Sequence, residues 1–385
     1  MAATTVEPAT FERAAADLAQ ATAAGRAVRI AGAGSKRLWG ASGRQPDVEL
    51  RTTALDRIVE HNSGDLTARL QAGVPLSAAQ RAFASAGQML ALDPPPSHDG
   101  TEPTIGGILA TGDCGPLRHR YGAPRELVLG ITVALSDGTI AQAGGRVIKN
   151  VAGYDLARLF AGSFGTLGVI LAVNVRLHPL HDLAFTAFGA SADPSTLTAG
   201  AIALAAAPLE LDALDVAWDE SGGRLLARCT GAEAARRARR AASLLAGSGL
   251  SAVELLDADS ELWAGQRAAQ RSAHGAVVRV SSRPTSLTAV IAAARECAGT
   301  LVGRAAVGHS YVRVEPGAVT LLRDRLRDRL PAGAVATLLD APDGLRDTLD
   351  PWDTVPGPAL ELARRVKARF DPAGTCNPGV FVGGI

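Results

Sequence analysis

The four cysteines, Cys114, Cys229, Cys297 and Cys376, are widely separated and form no Cys-x-x-Cys pair, which argues against an iron–sulfur cluster or zinc ribbon in this chain. Spaced in this way they suit a reducing compartment. There is no charge of one sign to speak of: 39 basic side chains face 38 acidic ones, so nothing electrostatic favours a nucleic-acid partner. Long apolar runs are absent too, since no stretch reaches the roughly 18 residues of a membrane span. The first residues include Glu7, Glu12, Arg13 and Asp17 and hold no apolar signal core. The expected location is cytoplasmic, or peripheral at the inner face of a membrane, without a transmembrane segment.

What is present is glycine, and it is clustered. With 385 residues, 47% of them hydrophobic, the chain is long enough for two or three domains. Its organising stretch is Gly144 to Gly168, GGRVIKNVAGYDLARLFAGSFGTLG, followed by the strand-like run Val169 to Val173. Gly153, Gly162, Gly165 and Gly168 interrupt a segment otherwise apolar enough to be core. The backbone there must turn sharply or let something approach closely. A tight helix-to-strand connection would explain one such glycine pair, and a flat buried ligand would explain the set.

Two further clusters precede it. A helical pattern over Pro8 to Ala24 ends at Gly25, a short strand Val28 to Ile30 follows, and then comes Ala31-Gly-Ala-Gly-Ser-Lys36. This loop could aim several backbone N–H groups at one phosphate. It lacks the third glycine and the helix opening of the dinucleotide fingerprint. Short strands are expected at Glu49–Thr52, Arg57–His61 and Leu66–Ala72, and a helix from Pro75 to Ala86. After the rigid Asp93-Pro-Pro-Pro96 comes the second cluster, Pro103 to Gly115, then Arg118 to Gly122. A hairpin through Ser136 to Thr139 leads into the organising stretch.

The order Pro-Thr-Ile-Gly-Gly at 103–107, Arg-Tyr-Gly at 120–122, Ser-Asp-Gly-Thr at 136–139, Lys-Asn-x-x-Gly-Tyr-Asp-Leu at 149–156 and Gly-Ser-x-Gly-Thr-Leu-Gly at 162–168 resembles the flavin domain of the vanillyl-alcohol-oxidase and p-cresol-methylhydroxylase (PCMH) superfamily. Phe370 to Gly379 is similar to that family's closing signature. Within the superfamily, residues 144–156 most resemble the FAD-binding subunits of bacterial glycolate-oxidase-type complexes. The resemblance implies an α+β fold: a two-lobed PCMH-type FAD-binding domain over 1–180, a cap of ferredoxin-like βαββαβ units over 181–345, and a segment 346–385 returning to the first domain.

It also implies non-covalent FAD, because the pyrophosphate loop has no His or Cys for ring attachment. Carried over position by position, Gly32, Gly34, Ser35 and Lys36 would hold the pyrophosphate through backbone N–H groups. Pro103, Thr104, Ile105, Gly106 and Gly107 would run beside pyrophosphate and flavin, and Gly112, Asp113 and Gly115 would complete that wall. Gly162, Ser163, Gly165, Thr166, Gly168 and Ile170 would lie against the cofactor, and Asn377 would approach the flavin ring. Gly112 stands where the family often has Asn, and Phe164 where Glu is commoner.

The region after Pro179 reads as two βαββαβ series, Ala184–Leu256 and Val277–Leu339, joined by a helix at Ser260–Ala273. Asp340–Pro358 reads as a loop and Ala359–Phe370 as a helix. Related 2-hydroxy-acid dehydrogenases use a His-rich metal site in this cap. Here His309 is the last of seven histidines and has no partner after it, so no metal is expected. Arg304 and Arg313 could clamp a carboxylate, but arginines on successive strands are commonly solvated or paired, and no catalytic residue follows. The expected function is an FAD-dependent oxidoreductase subunit acting on CH–OH donors, in a glycolate-oxidase-type complex with a larger FAD-containing subunit and an iron–sulfur subunit, where a 2-hydroxy acid becomes a 2-oxo acid. The alternative is a free-standing FAD-dependent enzyme for another hydroxy acid or alcohol.

Overall fold

The computed structural model describes residues 3–145 and 156–385. Lys149, Asn150, Gly153, Tyr154 and Asp155 of the organising stretch therefore lie outside the described residues. The first lobe is a parallel three-stranded sheet in the order Thr4–Val6, Val48–Arg51, Val28–Ala31. The helix Phe11–Ala23 packs on it. Thr10 caps this helix by accepting the Arg13 N–H at 3.2 Å, and Leu18 enters a core with Val28 and Leu50.

The second lobe is an antiparallel five-stranded sheet, ordered Ile58–Asn62, Thr67–Gln71, Val169–Arg176, Val128–Ala134, Ile140–Gly144. Its central strand explains the apolar run after Gly168. Val169 and Leu171 face the first lobe's core, while Ile170, Val173 and Val175 face the second, so both sides are covered and little polarity survives. The glycine-dense 105–111 stretch is a helix, Ile105–Thr111. Thr104 opens it and Gly112, at φ +64°, closes it, and Gly106 lets it approach Ala72 so closely that an added Cβ would lie 2.7 Å from the Ala72 methyl.

The cap is one eight-stranded sheet made of two βαββαβ units side by side. Its order is Ser251–Leu256, Ala184–Ser191, Gly222–Thr230, Ala213–Asp219, Thr300–Arg304, His309–Val314, Ala276–Ser281, Val335–Asp340. The two units join where Ala213–Asp219 pairs antiparallel with Thr300–Arg304. Four helices, Pro194–Ala206, Ala234–Gly247, Leu287–Glu296 and Val319–Arg329, cover one face, and Val216, Val278, Leu301 and Val312 point into that layer. By strand alternation Asp215, Val277, Val302, Arg304 and Tyr311 point the other way. There Val277, Val302 and Tyr311 pack with Trp39, Phe164 and Trp352.

Residues 340–358, expected as a loop, contain a helix, Asp343–Thr348, steadied where the Arg346 guanidinium donates to the carbonyls of Leu339 and Ala341. The helix Pro358–Phe370 then leads Cys376 back to bridge Val28 at the edge of the first lobe's sheet.

Candidate functional site

A cavity of about 500 Å³ is lined by the loop after the Val28–Ala31 strand, the helix Ile105–Thr111, the segment 164–170, Asn377, and Arg346 and Asp347 of the helix Asp343–Thr348. Of the positions singled out in the sequence, Gly32, Gly34, Ser35, Lys36, Thr104, Gly106, Gly107, Gly165, Gly168, Ile170 and Asn377 line it. Four segments separated by up to 347 residues thus meet on one wall.

The loop 32–36 carries the chemistry an anion needs. Among the described residues, the successive backbone N–H groups of Gly32, Ala33, Gly34, Ser35 and Lys36 have no acceptor within the protein. Five adjacent orphan donors are rare in a folded chain and are satisfied by water or by a ligand. Gly34 has φ +90°, and an added Cβ would meet nothing, so the loop is open on that side. Gly32 has the opposite reason: a Cβ would overlap Thr104 Oγ1, which sets the loop against the start of the 105–111 helix. The Lys36 ammonium turns inward and lies 3.1 Å from Asp113 Oδ2, without hydrogen-bond alignment, both side chains being buried. Arg29, Arg37 and Arg346 also line the cavity with the acid Asp347, Arg37 being paired with Glu49 behind it at 2.7 Å, and the remaining wall is aliphatic at Ile30, Ala33, Ala110 and Ile170. Orphan donors and cationic side chains beside an apolar wall fit the pyrophosphate and rings of FAD.

The other predicted positions stand behind this wall. Pro103 accepts the Leu76 N–H and Ile105 donates to Val74, which anchors the turn before the helix. Gly112 sits beside Gly162, whose N–H donates to Leu109 at 2.9 Å. Gly115 packs on Asp93, with room for no Cβ. The Ser163 hydroxyl donates to Phe160 at 2.8 Å and the Thr166 hydroxyl to Ser163 at 2.7 Å, so both side chains are spent within their own turn. Asn377, at φ +40°, accepts the Ile30 N–H and donates to Phe164. Its amide is therefore a clamp between two walls of the cavity.

Behind Trp39 and Phe164 lies a buried polar layer that sequence reasoning did not assemble. Arg304 is 0% exposed and 3.7 Å from Asp215, also 0% exposed. Its guanidinium sits over the Tyr311 ring at 5.2 Å. Burial pushes the Asp215 carboxyl up to about 6 despite Arg304, and that of Asp93 up to about 7. Burial opposes the charge on Arg304, but Asp215, Tyr311, Cys114 and Asp93 together outweigh it and raise its pKa. Burial lowers His309 to about 3, with the cations of Arg118, Arg279 and Arg304 adding to it, so its imidazole is neutral; Nε2 is 3.5 Å from Ser281 Oγ. Asp340 gathers Trp39 Nε1 at 2.9 Å and Arg271 Nε at 2.7 Å. Of the two arginines weighed in the sequence, Arg304 is enclosed and Arg313 exposed. Asp215 meets Arg304 only because the two cap units join edge to edge, a register no local pattern announces. Among the described residues no group of three His, Cys, Asp or Glu side chains is arranged to hold a metal ion.

Residues 2–144 match the model of the FAD binding domain family. The class is therefore an FAD-binding protein, with a fold like that of alkyldihydroxyacetonephosphate synthase, whose solved structure superposes with a TM-score of 0.71 at 14% identity over 97% of this chain and 76% of that one. More particularly, 122 residues are 43% identical to the glycolate oxidase subunit GlcE of Escherichia coli (strain K12), covering 32% of this chain and 34% of that protein. An uncharacterized FAD-linked oxidoreductase of Mycobacterium tuberculosis (strain ATCC 25618 / H37Rv) is 27% identical over 98% of this chain and 90% of its own. The chain spans about a third of the length of the first curated relatives it matches. Among the described residues no helix is long and apolar enough to cross a membrane.

Proposed function

We propose that the chain is the FAD-binding subunit of an assembly that oxidises a 2-hydroxy acid to a 2-oxo acid, in the manner of a glycolate oxidase. The observation that carries this reading is the cavity whose glycine loop offers five orphan N–H donors beside an apolar wall. Similarity to a glycolate oxidase subunit over 122 residues supports it. FAD binds non-covalently, its pyrophosphate on residues 32–36, with residues 104–107, 165–170 and 377 along its length. FAD supplies the hydride-accepting ring. The protein's part is to hold that ring and exclude water with Trp39, Phe164 and Trp352. A larger FAD-containing subunit oxidises the acid, an iron–sulfur subunit carries electrons away, and this chain contributes a flavin to the relay.

Anaerobic titration tests the assignment of roles. The isolated chain, purified with its flavin, should keep an oxidised flavin spectrum in excess glycolate, and the flavin should bleach when both partner subunits are co-purified with it. Rapid bleaching of the isolated chain by glycolate would instead make it a free-standing enzyme.

A further inference from the structure

The buried pair on the cap sheet has a consequence for what the chain can bind. Asp215 and Arg304 are register partners on adjacent antiparallel strands, on the same face of the sheet, and that face is turned toward Trp39 and Phe164 of the cavity wall. Among the described residues, all three guanidinium nitrogens of Arg304 lack a hydrogen-bond acceptor, and one Asp215 oxygen lacks a donor. The other Asp215 oxygen accepts Gln266 Nε2 at 3.1 Å, and that amide also donates to the Val216 carbonyl at 3.0 Å. Asp215 is thus fixed by a second residue in the place from which it opposes Arg304.

A fully enclosed arginine with unused donors is what a carboxylate ligand would seek. The pair, however, already balances its charge. Bringing a second carboxylate to Arg304 would leave one excess negative charge in a dry site, at a desolvation cost the remaining donors do not offset. Asp93 adds to this, because its carboxyl interacts electrostatically with the same guanidinium and brings another negative charge nearby when it loses its proton.

We propose that Asp215 is a specificity-determining residue, a built-in carboxylate that closes the Arg304 position to small carboxylate ligands, so that this chain does not itself receive a hydroxy acid there. The inference concerns side chains of this chain alone and holds whether or not the assembly described above is the right one. It also gives that assembly a reason: the acid must be received elsewhere.

The test is carboxylate binding to the full chain, read by calorimetry and by thermal melting with formate, glycolate and oxalate as probes and chloride at equal ionic strength as the reference. The wild type should show no saturable binding and no melting shift beyond that of chloride. Asp215→Ala, which removes the counter-carboxylate and leaves a space of formate size, should bind formate saturably and regain melting temperature, and Asp215→Ala/Arg304→Gln should do neither. Saturable oxalate or glycolate binding by the wild type that is lost in Arg304→Gln would overturn the proposal. So would a folded Asp215→Ala that binds no carboxylate. If Asp215→Ala does not fold, Asp215→Ser, which likewise removes the carboxylate and shortens the side chain, takes its place with formate under the same expectations, and the wild-type titration decides by itself. Flavin content, measured on the same samples by absorbance, separates a failure of this proposal from a failure of FAD binding.

Discussion

The side-chain oxygen of Asn377 accepts the Ile30 N–H at 2.7 Å, and its amide donates to the Phe164 carbonyl at 2.6 Å. A residue near the C-terminus thereby ties the glycine loop's strand to the 164–168 turn. Gly165 is glycine for the same contact, since a Cβ there would lie 2.7 Å from Asn377 Nδ2. Asn377→Ala should cost about 2–3 kcal/mol in chemical denaturation, the penalty of leaving the buried partners unpaired, and should weaken FAD retention. Asn377→Asp keeps the acceptor but turns a carboxylate oxygen toward the Phe164 carbonyl, so it should be at least as damaging.

Gly34→Ala separates ligand contact from backbone strain. Gly34 at φ +90° and Gly87 at φ +67° both have open space where a Cβ would go, but only Gly34 lines the cavity. Each substitution should cost about 1 kcal/mol for the left-handed backbone. Flavin content after gel filtration should fall in Gly34→Ala and remain at the wild-type level in Gly87→Ala.

Those two glycines also mark what could be read from the chain alone. The loop 32–36, the order of glycine clusters and the paired βαββαβ series were legible because phosphate cradles and strand alternation are local patterns. The helix Ile105–Thr111 was not read as one, although Thr104 and Gly112 are its two caps, because glycine content masked them. Arg304 stands out in the sequence as a candidate clamp, but its meeting with Asp93 and Asp215 escaped for another reason. Their meeting depends on the pairing of strands some 85–90 residues apart and on the packing of that sheet face over a loop of the first domain. Positions such as Ser163 and Thr166 matched a family pattern whose side chains prove to serve their own turn.

Lys36 and Asp113 should behave as a unit. Lys36→Met leaves a buried carboxylate without its cation and should destabilise by about 3–5 kcal/mol. Lys36→Met/Asp113→Asn removes the stranded charge and should recover most of that loss. A double-mutant cycle on denaturation midpoints measures the coupling.

The raised carboxyls make stability fall with pH. Asp93 is pushed up to about 7 and Asp215 to about 6, both above their ordinary 3.8. At these two carboxyls the folded chain binds more protons than the unfolded one between pH 4 and 7, and the stability they contribute is lost as pH rises through that window, while His309, lowered to about 3, and His178, lowered to about 4, act in the opposite sense below pH 6.5. The margin in stability of pH 8 over pH 5 should be less favourable in the wild-type protein than in Asp93→Asn, which lacks the Asp93 contribution. Equal margins in the two proteins would show that Asp93 titrates normally.

The most direct measurement is the flavin content of the purified chain: its visible absorbance, and the identity and amount of what it releases on denaturation. Binding through the 32–36 cradle predicts one FAD per chain, released intact, and a marked loss of FAD in Gly32→Val, where the added side chain would drive the loop away from Thr104. Recovery of FMN in place of FAD, or FAD retained undiminished in Gly32→Val, would contradict it.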